Sequence, residues 1–301
     1  MNEPHLTVAT RRSALALAQA RAWLQVLRTS APELRVQELH VTTTGDRIQD
    51  RSLTEIGGKG LFIKEIEQAL LGGQADIAVH SMKDVPAELA PGLVIGCVPR
   101  REDARDVAVT RDGVALAELP AGSRVGTSSL RRAVQLQAWR PDLVIVPLRG
   151  NVDTRLRKCA QGEVEAVVLA RAGLIRLGRA EEATETLDID LCLPAVGQGA
   201  LCIERRAEDP ATARWLAPLH DRETAIRVAS ERGVLQAVGG SCQLPVAAHA
   251  TSDGDELHLR ALLAEPDGSR LRKRETRRPW PTNESEAWSM GSALGAELVR
   301  S

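Results

Sequence analysis

The chain has no tyrosine, a single phenylalanine (Phe62) and five tryptophans, so aromatic residues make up 2% of its 301 positions. That scarcity excludes base-stacking platforms and aromatic sugar cradles, and it leaves the cores to aliphatic side chains. Lysine is also sparse. Lys59, Lys64, Lys83, Lys158 and Lys273 are the full set, and every other basic residue is arginine. No apolar run approaches the roughly 18 residues a membrane helix needs, and the longest candidate, residues 91–99, is broken by proline and glycine. Arg11 and Arg12 precede an Ala/Leu stretch, but it reaches Gln19 and Arg21 without a cleavage pattern, so no export signal is expected. The five cysteines are an odd number without a CxxC pair. Neither a disulfide framework nor a four-cysteine zinc site is encoded, and a reducing cytoplasm follows as the expected location. The six histidines show no HExxH spacing, and no metal site is expected. With 39 basic and 40 acidic residues the net charge is -1. Nothing global therefore recruits nucleic acid or an anionic membrane, and charge recognition has to be local.

What is present is enough apolar material, 43% of the chain, to build a core in each of two to three domains. Short β-like runs near residues 5–10, 34–41, 75–80, 93–98, 106–110, 123–127, 143–147 and 165–169 alternate with helical periodicity at 13–28, 60–71, 129–139, 151–160 and 170–177. That alternation is the α/β signature, and it predicts mainly parallel sheets with crossover helices. A charged stretch at 99–105 and a Gly-rich one at 196–200 are two crossing points between such units, and side by side they would make a hinge. After helices near 209–218 and 221–236, Gly-punctuated strands near 245–250, 256–264 and 269–277 and a last helix near 284–299 predict a smaller α+β domain. The basic run 270–278, RLRKRETRR, lacks aromatic interleaving and reads as a solvated strand.

Three strand ends run into a helix start carrying Ser, Thr or Asn with arginine close by. ATRRSALALAQA (9–20) offers Arg11, and Ser13 as an N-cap. VGTSSLRR (125–132) offers Thr127, Ser128 and Ser129, with Arg131 and Arg132 in the first helical turn. LRGNVDTRL (148–156) offers Arg149, Asn151 and Arg155. Each Ser or Asn alone would be an ordinary cap. Together they read as anion sites, because free N–H groups and the helix dipole attract anions and guanidinium forks grip carboxylates. Arginine in a first turn opposes the dipole and so asks for a compensating anion. In open α/β sheets such loops converge outside the strand carboxyl ends, and a polyanionic ligand is the economical reading.

VHSMKDVP (79–86) follows a strand and ends in proline, placing Ser81, Lys83 and Asp84 on a rigid exit loop. In isolation Lys83 and Asp84 are a solvated pair. Among arginines, Asp84 would be held ionised and stabilise a cation, and in its protonated form it would pass a proton to a leaving amine. GGKGLFIKE (57–65) fits neither a Walker loop nor a dinucleotide fingerprint and reads as a lid. In VGGSCQLP (238–245), Cys242 sits on a flexible loop, as a nucleophile or covalent tether. Cys97, Cys159, Cys192 and Cys202 lie in apolar or helical contexts and are expected to be buried.

In their order and spacing these segments, with LPAVGQGAL (193–201), resemble the porphobilinogen deaminase family over nearly the whole chain. The resemblance implies two α/β domains like those of periplasmic binding proteins, residues 1–99 with 200–217 and residues 100–199, and a third domain, 218–301, carrying the cysteine loop. It implies a transferase that condenses four porphobilinogen units on a dipyrromethane cofactor attached to Cys242 and releases hydroxymethylbilane. By the same likeness Asp84 is the catalytic carboxylate. Arg11, Ser13, Gln19, Arg149, Arg155 and Arg176 hold substrate or the growing chain. Ser81, Lys83, Thr127, Ser128, Ser129, Arg131 and Arg132 grip cofactor carboxylates, and Lys59 and Phe62 belong to the lid. The expected protein is a monomer binding no nucleic acid, membrane or metal. Ser241 before the cysteine and Arg171 depart from many relatives, and the resemblance gives Arg171 no role. Two rivals remain at this point. One is a two-lobed small-anion binding protein, which has no use for Asp84 or Cys242. The other is a cysteine hydrolase, which needs His80, His220 or His249 near the thiol.

Overall fold

A computed structural model describes residues 4–47, 63–240 and 244–300. The chain divides into two compact units, Met1–Arg101 with Ala200–Ala225, and Glu102–Gly199 with Ile226–Ser301.

The first unit is built on a five-stranded sheet of order β2-β1-β3-β10-β4. Its strands are β1 (His5–Arg11), β2 (Arg35–Val41), β3 (Ile77–Ser81), β4 (Leu93–Cys97) and β10 (Leu201–Arg206). Alternation along the strands sorts their side chains to two faces. Leu6, Val8, Ile77 and Ile203 pack on Leu24 and Leu27 of helix α1 (Ala14–Ser30). Ala9 and Ala78 face the other way, onto Ile66 and Leu70 of helix α3 (Lys64–Leu71). Each fully buried Leu or Ile in these layers contributes roughly 1.5–3 kcal/mol. A short helix α2 (Thr44–Arg47) follows β2, and α7 (Pro210–Leu216) follows β10.

The second unit repeats the plan with order β7-β6-β8-β5-β9. Its strands are β5 (Asp106–Thr110), β6 (Arg124–Gly126), β7 (Val144–Val146), β8 (Ala166–Ala170) and β9 (Glu185–Thr186). Val107, Val167 and Leu169 pack on Leu156 of α5 (Val152–Ala160) and Leu174 of α6 (Arg171–Arg176). Ala108, Val125 and Val168 face Leu136 of α4 (Leu130–Trp139). A second, antiparallel sheet, β11 (Val246–Asp253), β12 (Glu256–Leu263) and β13 (Arg272–Pro279), has its own core against helices α8 (Arg222–Ala237) and α9 (Glu284–Arg300). The basic run is the edge strand β13, and its row of Lys and Arg guards the unpaired edge.

The sheets are mixed, which corrects the expectation of mainly parallel pairing. β1–β2, β1–β3, β6–β7 and β6–β8 are parallel, whereas β5 runs antiparallel to β8 and β9, and β10 antiparallel to β3 and β4. The two reversed strands are the ones that follow the crossings, so each enters its sheet from the opposite end. The crossings touch. Gly199 has φ +87°, a Cβ there would lie 2.4 Å from the Glu102 carbonyl oxygen, and the Glu102 N–H donates to the Gly199 carbonyl at 3.2 Å. Among the described residues no helix is long and apolar enough to cross a membrane.

Candidate functional site

In the first unit, β1 delivers Arg11 and β3 delivers Ser81 to neighbouring strand ends. Ser13 caps α1 by accepting the Ala16 N–H at 3.3 Å, as the sequence suggests. Ser81 donates to the buried Gln19 side chain at 2.7 Å, and Gln19 is held by its own bond to the Leu15 carbonyl. After Ser81 the chain makes one 3₁₀ turn, Met82–Asp84, so the rigid exit expected for Lys83 and Asp84 is a tight turn. The reason is local: Met82 is buried and its N–H bonds Ala200, and Val85 closes the turn onto Met82 just before Pro86. Arg11, Ser13, Gln19, His80, Ser81 and Asp84 line one pocket. The Asp84 carboxylate has no hydrogen bond or ion pair among the described residues. Arg11, by contrast, has a partner, donating through Nε to Asp46 at 3.2 Å. Burial raises Asp46, but the bonds from Arg11 and Thr43 outweigh it and hold the carboxyl below its ordinary range.

In the second unit, β6 runs into Thr127, Ser128 and Ser129 at the start of α4. Thr127 is buried, its Oγ1 accepting the Ser129 N–H at 3.2 Å, and Ser128 donates to the Leu148 carbonyl at 3.0 Å. Ser129 is the N-cap residue, but its side chain makes no capping bond. Arg131 and Arg132 are both 5% exposed and turn inward onto Asp106, each with a guanidinium-to-carboxylate contact at 2.7 Å. The anion their first-turn placement asks for is therefore partly the protein's own. Burial opposes the Asp106 charge, yet the two arginines hold it far below the carboxylate range.

Asn151 caps α5 through the Thr154 N–H at 2.8 Å, and the flanking arginines have little of their own to bind. Arg155 donates Nε to the Gly150 carbonyl at 2.9 Å. Arg149 has no hydrogen bond or ion pair among the described residues. Burial, then repulsion from Arg132 and Arg149, lowers Arg155 to about 10. Arg176 donates to the Gly199 carbonyl at 2.6 Å and is likewise lowered to about 10 by burial, with Glu102 opposing the fall.

Depressed to about 10 in the folded chain, Arg155 costs stability while charged, and the cost is fully present below pH 10 and fades as pH rises from there. Arg155→Met is therefore expected to stabilise the cofactor-free chain by on the order of 1 kcal/mol, after screening and loss of the Gly150 bond. Denaturant unfolding of the two proteins measures it, and a clearly less stable variant contradicts the cluster's strain.

Arg171 gains an account here, with Nε 3.1 Å from Asp103 and a bond to Thr186, which braces β9 beside the first crossing. Cys97, Cys159, Cys192 and Cys202 are all buried, and burial pushes the Cys97 and Cys192 thiols up to about 12. Lys59, Phe62, Ser241 and Cys242 lie outside the described residues. α8 ends at Ala237, and just past it Gly239 and Gly240 are both left-handed, with the Gly240 N–H closing onto the Leu235 carbonyl. The three histidines of the hydrolase reading have described partners: His80 pairs with buried Glu204 at 3.0 Å, His220 accepts the Val98 N–H and His249 lies beside Glu231. Asp46, Asp106, Gln198 and Glu204 were not singled out from the sequence. Asp106 carried a faint signal, an acid opening the apolar strand DVAVT.

Two family models cover the chain. Residues 6–214 match the porphobilinogen deaminase dipyromethane cofactor binding domain, and residues 225–300 match the porphobilinogen deaminase C-terminal domain. The porphobilinogen deaminase of Sorangium cellulosum is 62% identical over 98% of this chain and 98% of that protein. That of Syntrophotalea carbinolica is 50% identical over 99% of this chain and 94% of that protein. Among solved structures, the methionine-binding protein MetQ is 13% identical, with a TM-score of 0.46 over 77% of this chain and 96% of that one. The chain belongs to the porphobilinogen deaminase family.

Proposed function

We propose that this chain deaminates porphobilinogen and joins four units head to tail on a dipyrromethane primer attached to Cys242, releasing hydroxymethylbilane, as a cytoplasmic monomer. One observation carries the reading. In the second unit Arg131 and Arg132 pair with Asp106, and Arg155, lowered first by burial and then by repulsion from Arg132 and Arg149, has no acid partner among the described residues. A pyrrole oligomer bearing acetate and propionate groups is the polyanion such a cluster neutralises.

The residues present suit the primer's carboxylates. The α4 start is left uncapped by Ser129, and donors of Ser and Arg type surround it. Thr127, Ser128, Ser129, Arg131 and Arg132, with Ser81 and Lys83 in the first unit, would hold it. When bound, it supplies the pyrrole carbon to which the first substrate is joined. Arg149, Arg155 and Arg176, and in the first unit Arg11, Ser13 and Gln19, would hold incoming carboxylates, with Arg11 kept in place by Asp46. Asp84 would give a proton to the substrate's aminomethyl nitrogen as it leaves as ammonia, and its carboxylate would stabilise the carbocation left behind. Lys59 and Phe62 would close over the substrate. The domain boundaries 1–99 with 200–217, 100–199 and 218–301 belong to this reading.

Intact mass of the purified protein tests it. The expected result is a dipyrrole adduct that maps to Cys242 and disappears in Cys242→Ala. An unmodified chain from cells that make tetrapyrroles overturns it.

A further inference from the structure

Asp106 is 0% exposed and spends both carboxylate oxygens on neighbours. Oδ2 accepts from Arg131 Nη1 at 2.7 Å, and Oδ1 accepts from Arg132 Nη2 at 2.7 Å and Nε at 3.1 Å. Gln198, on the second crossing, donates Nε2 to the same Oδ1 at 2.9 Å and to the Ala104 carbonyl at 2.7 Å. Each guanidinium also has a fixed backbone acceptor, Leu193 for Arg131 at 2.8 Å and Val168 for Arg132 at 3.0 Å. A planar fork bound at two points has no freedom to rotate, and its remaining N–H groups point in set directions. Among them, the buried Arg131 Nε has no hydrogen-bond partner among the described residues.

We infer that Asp106, steadied by Gln198, is a positioning residue that presents the Arg131 and Arg132 forks to the carboxylates of the pyrrole chain. The inference rests on the proposed function. Two roles for a buried acid beside two arginines predict opposite results. If Asp106 only neutralised charge, removing its carboxylate would leave the cluster more positive and tighten anion binding. If it sets the forks, removal loosens them and anion binding weakens despite the added charge. Groups that orient a ligand-binding side chain typically matter by ~10–100-fold in affinity.

The test uses the full chain and two readouts. Intact mass gives the fraction of purified protein loaded with the adduct, and melting of the cofactor-free chain against citrate gives the affinity for a polycarboxylate. For Asp106→Asn the loaded fraction and the citrate affinity are both expected to fall at least ~10-fold. Gln198→Leu leaves the ion pairs intact, so it carries the test should Asp106→Asn fail to fold, and a smaller fall of about threefold is expected. A purely structural role would lower the melting temperature and leave the citrate affinity unchanged, and that result overturns the inference. So does citrate binding as tight as, or tighter than, the parental protein's. A parental chain without the adduct overturns the proposed function itself, which separates the two failures.

Discussion

Purified Asp84→Asn protein is expected to fold as the parental chain does and to turn over porphobilinogen at least ~10²-fold more slowly, the usual scale of lost proton-transfer catalysis. The fold is spared for a specific reason. The Met82–Asp84 turn is held by buried Met82 and by backbone bonds to Ala200 and Val85, and no described residue depends on the Asp84 carboxylate. Asparagine keeps the size and can still donate a hydrogen bond, but it neither carries a proton to the leaving amine nor places a negative charge beside a carbocation. Thermal melting and steady-state turnover of both proteins measure the two halves of the claim. Near-parental turnover would remove Asp84 from the chemistry, and a collapsed melting temperature would make it a structural residue.

Local patterns made most elements legible. Short apolar β-like runs placed β1, β3, β5 and β8 to within a residue or two, and Ser13 and Asn151 announced the starts of α1 and α5. Strand β10 is not among the expected strands, and nothing inside LCIERR says that it enters its sheet reversed. That follows from where the chain re-enters after Gly199. β9 escaped notice because two residues, Glu185 and Thr186, carry no period. The site divides in the same way. Arg131 and Arg132 drew attention as misplaced cations, but their partner Asp106 lies 25 and 26 residues away, and Gln198 lies 92 from it. Pairings of that range are decided by the tertiary fold, not by spacing. The mirror case is Arg149, to which no described residue supplies an anion.

That contrast makes Arg149 the more revealing target of the four arginines. Arg131 and Arg132 are bound to Asp106, and Arg155 at least to the Gly150 carbonyl. Truncating any of these disturbs the protein as well as the ligand. Arg149→Leu removes a guanidinium with no described partner and relieves the repulsion on Arg155, so the cofactor-free chain should be as stable as the parental one or slightly more so. The loss should fall on the ligand. A charged bidentate bond contributes ~1.5–3 kcal/mol, which corresponds to release of tetrapyrrole slowed by about 10–100-fold. Elongation needs each new pair of carboxylates neutralised in a site that grows more crowded, so the deficit should appear as stalling and not as failure to start. Native mass spectra of the working variant are then expected to show protein carrying partly extended oligomers, in a larger share than in the parental protein. Release at the parental rate would mean that the clamp lies elsewhere, with Arg155 and Arg176 the next arginines to truncate.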